Sequence, residues 1–291
     1  MLALRRGRTR YAGKSLNPLH CKLPEQGLGT MQKVMMTQEL QVAIEAAQKA
    51  GTYLREHFGQ KLHVDEASQY DIKLELDRTT QDLITDLILA SFPDHAIFGE
   101  EGISGDQNSP WQWIIDPIDG TVNYFHSIPH FCISIAARHQ SVLKVGVIYD
   151  PMRDELWTVD AGQPALLNGK PIAVTPTTQL SECVIATGFA KTKTSIVKGL
   201  PVLEHMVQKV RKCRLMGSAA LDMAYVASGR LDAFIESGIS LWDVAAGIVL
   251  TEAAGGTVKM TEREDQPGKF SIIAFNGKIP IEAEIEAATA G

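Results

Sequence analysis

The feature that most constrains this chain is an apolar run that ends in two acids around a proline. Residues 113–115 are Trp-Ile-Ile, typical of a buried strand, and the chain continues into Asp116, Pro117, Ile118 and Asp119. A carboxylate at the end of a buried strand is costly unless a positive group meets it. Because proline disfavours helical geometry in the residue before it, we expect a rigid bend that turns both aspartates toward one point.

Short apolar runs and helical periods along the rest of the chain predict a layered α/β (α+β) fold with two sheets. Helices are predicted from Thr37 to Phe58 and over Asp77–Phe92, where the apolar spacing is close to 3.6 residues. Strands are predicted at Ala96–Gly99, Trp113–Ile115, Phe131–Arg138, Val142–Asp150, Glu155–Val159 and Pro171–Val174.

The second half of the sequence alternates strands and helices. Its predicted elements are Val184–Gly188, Leu200–Lys212, Ala219–Ser228, Leu231–Glu236, Val244–Ala254, Gly256–Met260 and Ile272–Phe275. We therefore expect one domain over residues 37–291, made of two closely joined lobes of about 37–180 and 181–285.

Composition excludes several classes of protein. The formal net charge of −6 argues against a general nucleic-acid binder, which needs a basic face. No apolar run approaches the roughly 20 residues that span a bilayer, so we expect no membrane partner. The four cysteines have no paired spacing, so a disulfide framework or zinc site is not expected, and a cytoplasmic location fits.

Residues 1–36 are basic and have no amphipathic period, so we expect a disordered extension. They lack the apolar core of a secretory signal. Two alternatives stay open: an organellar transit peptide in residues 1–30, or sequence upstream of a working start at Met31, Met35 or Met36.

Acids gather at the ends of several predicted elements. Glu100 follows one strand, Asp243 begins one helix, and Asp77 precedes another. Each has an ordinary explanation, since Asp77 and Asp243 suit a helix N-cap and Glu100 a solvated loop. Ligand sites, however, collect at such ends in α/β folds. With the Ile118 carbonyl the acids form an all-oxygen set suited to Mg²⁺, and their repulsion implies more than one ion.

The two residues after Asp119 suggest an anion site beside these acids. If a helix or tight turn starts at Gly120-Thr121, its first backbone N–H groups point at an anion. The Thr121 hydroxyl can also orient a water. Metal ions beside amide donors form a phosphate site, and two ions around a phosphorus are the usual arrangement for hydrolysis.

Three separated motifs resemble the inositol monophosphatase family, within the lithium-sensitive, magnesium-dependent phosphatases that include fructose-1,6-bisphosphatases. They are residues 99–101 (GEE), 113–123 (WIIDPIDGTVN) and 236–238 (ESG) with 241–247 (LWDVAAG), and their order agrees over roughly residues 37–285. The resemblance implies an inositol monophosphatase-like sugar phosphatase fold, two or three Mg²⁺ ions, lithium sensitivity and a homodimer.

The resemblance also implies roles for individual residues. Glu100 would bind one ion and help activate water, Asp116 would bridge two ions, and the Ile118 carbonyl, Asp119 and Asp243 would complete the metal sites. Asp77 would act with Thr121 on the nucleophilic water. The phosphate and substrate contacts would come from Gly120, Thr121, Glu236, Gly217, Ser218 and Ala219.

The substrate implied is a small polyol or cyclitol phosphate, with myo-inositol 1-phosphate as the first choice. Fructose 1,6-bisphosphate, histidinol phosphate and 3′-phosphoadenosine 5′-phosphate stay open, as does a catalytically silent binding module. The segment 71–76 (DIKLEL) and Glu66 depart from the family pattern, which puts third-ion affinity and substrate choice in doubt.

Overall fold

Five layers of helices and sheets alternate in the computed structural model, which describes residues 36–60, 64–67, 72–189 and 193–289. Helices α1 (Gln38–His57) and α2 (Glu75–Ser91) cover one face of the first large sheet. The expectations for residues 1–35 and for the Glu66 and Asp71 side chains lie outside the described part.

The first large sheet has eight strands in the order β10-β9-β8-β7-β6-β5-β3-β4. Its neighbours are antiparallel except for the parallel pair β3 and β5. A separate two-stranded ribbon joins β1 (Val64–Ala67) and β2 (Ile72–Leu74). The eight strands are β3 (Ala96–Gly99), β4 (Gly102–Gly105), β5 (Trp111–Asp119), β6 (Cys132–His139), β7 (Val142–Asp150), β8 (Glu155–Asp160), β9 (Leu166–Leu167) and β10 (Lys170–Pro171).

The second large sheet has five strands in the order β12-β11-β13-β15-β14. They are β11 (Val184–Thr187), β12 (Lys212–Arg214), β13 (Ala233–Ile239), β14 (Thr257–Glu262) and β15 (Phe270–Phe275). Helices α5 (Ala219–Ala227) and α6 (Leu241–Ala253) lie between the two large sheets. Helices α4 (Lys193–Lys209) and α7 (Ile281–Thr289) cover the outer face, and the short helix α3 (Thr121–Phe125) follows β5.

Side chains that alternate along the strands of both large sheets pack into separate apolar layers on the two faces of each sheet. On β5, Trp113 and Ile115 pack toward α1 and α2, whereas Ile114 packs toward α5 and α6. Successive side chains of a strand point to opposite faces, so one strand serves two apolar layers. On β13, Ile235 faces α4 and Phe234 faces the α5–α6 layer in the same way.

The layered α/β prediction is confirmed, and several element bounds agree closely. Strand β7 has the predicted bounds, and α1 begins after Thr37, whose Oγ1 accepts a hydrogen bond from Leu40 N at 3.3 Å. Helix α6 ends at Ala253, one residue before the predicted Ala254, and Gly255 follows at φ +86°. No helix in the described ranges combines the length and apolar character needed to cross a membrane.

Other predicted bounds are wrong. Strand β5 continues past Ile115 to Asp119, and α2 begins at Glu75, so Asp77 lies inside the helix. Helix α6 likewise includes Asp243. Helix α4 begins seven residues before the predicted Leu200 and ends three residues before the predicted Lys212. The predicted strand at Pro171–Val174 is reduced to Lys170–Pro171. In the described ranges the β1–β2 ribbon adds a small pair of strands to the two predicted sheets.

Gly146 on β7 permits the close approach of α6, the helix that contains Asp243. A Cβ atom at this position would lie 2.8 Å from the Ala246 carbonyl oxygen, which belongs to backbone and cannot swing aside.

We predict that Gly146→Ala lowers the melting temperature, because overpacking a core costs about 1–3 kcal/mol. Thermal unfolding of the two proteins measures it. The control is Val142→Ala on the same strand, where the side chain is exposed and the change should be nearly neutral. A Gly146→Ala protein as stable as wild type would contradict this account of the packing.

Candidate active site

A β-bulge in β5 sets the geometry of the two central aspartates. Asp116 pairs with Ser134 and Asp119 pairs with Cys132, so three steps on β5 oppose two steps on β6. Ser134 and Cys132 are two residues apart and share a face of the sheet. The register therefore places Asp116 and Asp119 on that same face, toward α5 and α6, although residues three apart on a regular strand face opposite ways.

Asp119 joins the eight-stranded sheet to the start of α5. Its Oδ2 accepts hydrogen bonds from Ser218 Oγ at 2.6 Å and from Ala220 N at 2.7 Å. Its Oδ1 accepts a longer bond from Ala219 N at 3.3 Å. Ser218 and Ala219, two of the predicted substrate contacts, are thus hydrogen-bonded to Asp119, a predicted metal ligand.

Burial makes the Asp119 carboxylate expensive to ionise. It raises the pKa of Asp119 to about 6 from 3.8, and the nearby Glu100 carboxylate pushes it in the same direction. The three hydrogen bonds lower this pKa, and all of their donors are uncharged groups. A cation near this carboxylate would relieve the cost.

Glu100 lies level with Asp116 because β3 and β5 are parallel. Gly99 pairs with Ile115, and Glu100 N donates to the Ile115 carbonyl oxygen at 3.0 Å. Gln81 on α2 holds the following residue, since its Oε1 accepts a hydrogen bond from Glu101 N at 2.8 Å. The structure therefore brings Glu100 to the end of the strand pair where Asp116 and Asp119 lie.

Asp77 and Asp243 have the same local geometry at the starts of two helices. Each is the third helical residue and reaches back to the amide before the helix: Asp77 Oδ2 to Leu74 N and Asp243 Oδ2 to Ser240 N, both at 2.7 Å. Each bond is the acidic half of a capping box, and on α2 the other half is missing because Leu74 has no side-chain acceptor. The N-cap interpretation was therefore wrong by three positions, although capping is one function of both side chains.

Helix α6 is also tied to the strand opposite Asp116. Ser134, the cross-strand partner of Asp116, donates through Oγ to the Trp242 carbonyl oxygen at 3.4 Å. Asp243 follows Trp242 directly, so the fold brings the last predicted metal ligand to the same face of the sheet. Asp77 lies on the α3 side, where its charge contributes to raising the pKa of Tyr124.

Gly120 and Thr121 form the turn that leads from β5 into α3. Gly120 has φ +101°, and a Cβ there would approach the carbonyl oxygen of Gly217 to 3.2 Å. Thr121 Oγ1 donates to the Ile118 carbonyl oxygen at 3.0 Å. Asn123 Nδ2 donates to the Met216 carbonyl oxygen at 2.8 Å, which anchors the turn at Gly217 against α3.

Glu236 lies on β13, in the second sheet, and reaches the site through Asp222. Burial raises the pKa of Asp222, and the charges of Asp119 and Glu236 raise it further, so this acid lies near both of them. Glu236 also lies against Gly188, where a Cβ atom would clash with its Oε2. The structure thus joins the predicted substrate-reading acid to the rest of the site.

Sequence reasoning missed Asp222. It is 2% exposed, burial raises its pKa well above the ordinary value, and its Oδ1 has no hydrogen-bond partner in the described part of the chain. The available signal was one acid within the otherwise apolar segment 219–227 (AALDMAYVA). Burial therefore favours the uncharged form of this acid.

The donor set suits Mg²⁺, since Glu100, Asp116, Asp119, Asp243 and the Ile118 carbonyl offer oxygen alone. No three acidic, histidine or cysteine side chains within the described ranges form a ready-made metal cluster. Backbone amides engage several of the carboxylates, as Ile118 N does with Asp116 Oδ1 at 3.0 Å. The ligand assignments and the number of ions remain predictions.

We predict that Asp119→Asn stabilises the metal-free protein at pH 7.5. The raised pKa means that ionised Asp119 destabilises the folded state above about pH 6, and the penalty fades as pH falls toward 3.8. An amide oxygen can still accept the Ser218 and Ala220 bonds, so the gain should be about 1–3 kcal/mol, shrinking by pH 5. Thermal unfolding in EDTA at both pH values measures it.

Asp150→Asn is the matched control. Asp150 is also buried, but Arg153 Nη1 donates to its Oδ2 at 2.7 Å, so removing this charge should destabilise the protein. A lower melting temperature for Asp119→Asn at pH 7.5 would contradict the stated origin of the pKa shift.

Comparison with known proteins places this geometry in a family. The sequence profile of the inositol monophosphatase family matches residues 35–289. An inositol-1-monophosphatase from Synechocystis sp. is 40% identical over 249 residues, which cover 82% of this chain and 85% of the relative. Nus factor SuhB from Pasteurella multocida is 38% identical over 227 residues, which cover 77% and 85% of the two chains.

Solved structures support the same family. The extragenic suppressor protein suhB from Bartonella henselae matches with a TM-score of 0.79 and 35% identity, over 87% of this chain and 98% of that one. The IMPase of Thermotoga maritima matches with a TM-score of 0.77 and 35% identity, over 87% and 97%. The chain therefore belongs to the inositol monophosphatase family and is a phosphoric monoester hydrolase with that family's fold.

Proposed function

We propose that the protein is a Mg²⁺-dependent phosphomonoesterase for small polyol phosphates, with myo-inositol 1-phosphate as its first substrate. The observation that carries the proposal is the β5 bulge, whose register places Asp116 and Asp119 on one face beside Glu100 and directly before α3. This arrangement puts oxygen ligands for a cation next to a helix start that suits an anion.

Glu100, Asp116, Asp119, Asp243 and the Ile118 carbonyl would hold two or three Mg²⁺ ions. When bound, the ions would supply positive charge to the phosphoryl oxygens and to the leaving alkoxide. The family membership and the oxygen-only donor set support this choice of ion.

The protein's own groups would position phosphate and water. The first amides of a helix have no acceptor within that helix, so those at Gly120 and Thr121 can bind a phosphate oxygen. The Thr121 hydroxyl donates a hydrogen bond to the Ile118 carbonyl, so its oxygen can accept a hydrogen bond from the attacking water and orient it. Glu100 would take one proton from this water as general base, and Asp77, whose Oδ2 also accepts a bond from Leu74 N, would act with Thr121 on the same water.

A phosphate-release assay tests the proposal. We expect inositol 1-phosphate to be hydrolysed with Mg²⁺ and not in EDTA, with Asp119→Asn losing at least 10²-fold in kcat, roughly the loss typical of a removed charge stabiliser. We also expect no covalent phosphoenzyme after an acid quench, because water is the proposed nucleophile. Full turnover in EDTA, or trapped phosphoprotein, would contradict the mechanism.

Glu236 is the proposed reader of substrate hydroxyl groups. Phosphate is common to all candidate esters, so selectivity must come from groups near the leaving alcohol, and a carboxylate accepts hydrogen bonds from hydroxyls. Its place beside Asp222 and Gly188 supports a position at the pocket. This favours a cyclitol or sugar phosphate over the other candidate esters.

We predict that Glu236→Gln weakens kcat/KM for inositol 1-phosphate by ~1–3 kcal/mol, the usual loss for a hydrogen bond to a charged group. p-Nitrophenyl phosphate, which has no hydroxyl on its leaving group, should be nearly unaffected. Steady-state kinetics on both esters measure the ratio, with Glu45→Gln on the exposed face of α1 as the control. Equal losses on both esters would exclude the selectivity role.

Homodimer formation, lithium inhibition and a cytoplasmic location complete the proposal and rest on the family resemblance. Sedimentation measures homodimer formation, and LiCl titration at high Mg²⁺ measures lithium inhibition.

Several relatives are named Nus factor SuhB, a name that belongs to those proteins. For this chain a binding-only role is the second candidate, and we place it lower because a silent member is expected to lack one of the acids, whereas Glu100, Asp116, Asp119 and Asp243 are all present.

A further inference from the structure

A buried arginine lies behind the strand that contains Glu236. Arg263 follows β14 and is 7% exposed. Its Nε and Nη2 donate to the two carboxylate oxygens of Asp265 at 3.0 and 2.8 Å. Its Nη1 donates to two hydroxyl oxygens, Ser195 Oγ and Ser237 Oγ, both at 3.0 Å.

These contacts join three segments. Ser237 lies on β13 directly after Glu236, Ser195 lies in the first turn of α4, and Asp265 lies in the loop between β14 and β15. A second contact strengthens the link to α4, since Lys198 Nζ donates to Asp265 Oδ2 at 2.7 Å. One guanidinium group and one carboxylate therefore hold the strand, the helix and the loop together.

The hydrogen bond from Arg263 to Ser237 lies at an irregular part of β13. Ser237 Oγ hydrogen-bonds Ser271 Oγ across the sheet at 2.8 Å, and the ladder shifts between Ser237 and Ile239. Gly238, between them, has φ +94°. An irregular strand end needs an external contact to fix its direction, and the Arg263 bond to Ser237 supplies one.

Arg263 and Glu236 lie on opposite faces of β13. Ile235 packs toward α4, so by alternation Ser237 faces α4 as well, whereas Glu236 faces the α5–α6 layer and Asp222. Glu236 also lies against Gly188, which is seven residues before Ser195. Arg263 thus holds the residue after Glu236 and, through Ser195, the helix that follows Gly188.

We propose that Arg263 is a positioning residue that fixes the direction of Glu236 and thereby the preference for hydroxyl-rich phosphate esters. The proposal rests on the proposed function, in which Glu236 reads the leaving alcohol. Arginine suits this position because its planar fork makes four hydrogen bonds in fixed directions, whereas lysine has one nitrogen to share among the same partners.

The test uses the full chain with Mg²⁺ and compares kcat/KM for inositol 1-phosphate and p-nitrophenyl phosphate. The ratio measured is kcat/KM for inositol 1-phosphate divided by kcat/KM for p-nitrophenyl phosphate. Arg263→Gln should lower this ratio by ~10-fold, mainly by raising KM for inositol 1-phosphate. Ser237→Ala, which keeps the fork to Asp265 and is the milder change, should lower it in the same direction. Arg263→Lys should not restore the ratio.

Arg230→Gln is the matched control. Arg230 also forms a fork with a carboxylate, donating through Nη1 to Glu155 Oε2 at 2.6 Å, but it lies over Trp157 and Tyr225, away from Glu236. The ratio should stay at the wild-type value in this variant. Thermal unfolding of every variant separates loss of folded protein from loss of selectivity.

A double-mutant cycle with Glu236→Gln decides whether Arg263 acts through Glu236. In that background Arg263→Gln should change the ratio less than twofold, because the group that it positions is already lost. Equal losses on both esters, or an undiminished effect in the Glu236→Gln background, would overturn the inference. Failure of wild type to hydrolyse either ester would instead overturn the proposed function.

Discussion

One extra residue in β5 is the constraint on which the site depends. Without the bulge, Asp119 would point into the apolar layer under α1 and α2, where no hydrogen-bond donor of α5 could reach it. With the bulge, Asp116 and Asp119 share a face, and Asp119 meets Ser218 and Ala220. The same step delivers Gly120 at positive φ to the start of α3. The metal ligands and the phosphate turn therefore follow from a single local irregularity.

The helices between the sheets let residues from distant parts of the chain form one pocket. Asp119 on β5 holds the start of helix α5, and Ser134 on β6 holds α6, so the eight-stranded sheet fixes both helices. Burial and the charges of Asp119 and Glu236 raise the pKa of Asp222 on α5, so this acid lies near one acid from each large sheet. Asp116 and Asp119 are buried there, and a buried carboxylate attracts a divalent cation more strongly than an exposed one does.

The sequence predicted what depends on local pattern and failed where tertiary contact decides. Strand β7 was predicted correctly because apolar and turn residues delimit it, whereas Pro117 was misread as the end of β5. A proline at a bulge loses no ladder hydrogen bond, so the strand continues. Helix α4 was placed too late because it contains Gly199 and Pro201. The two serine partners of Arg263 lie 26 and 68 residues away, beyond any local signal.

The bonds from Asp77 and Asp243 to the helix starts affect which residues would change first if activity were lost during evolution. Asp77 and Asp243 close the starts of α2 and α6, so folding alone selects for an acid at each position. Glu100 does not lie at the start of a helix, and burial of ionised Asp119 destabilises the folded state. In a lineage that abandoned hydrolysis, Glu100 and Asp119 would drift first while Asp77 and Asp243 persisted. An acid retained at a helix start therefore indicates selection for folding, whereas a retained Glu100 is the better indication of selection for catalysis.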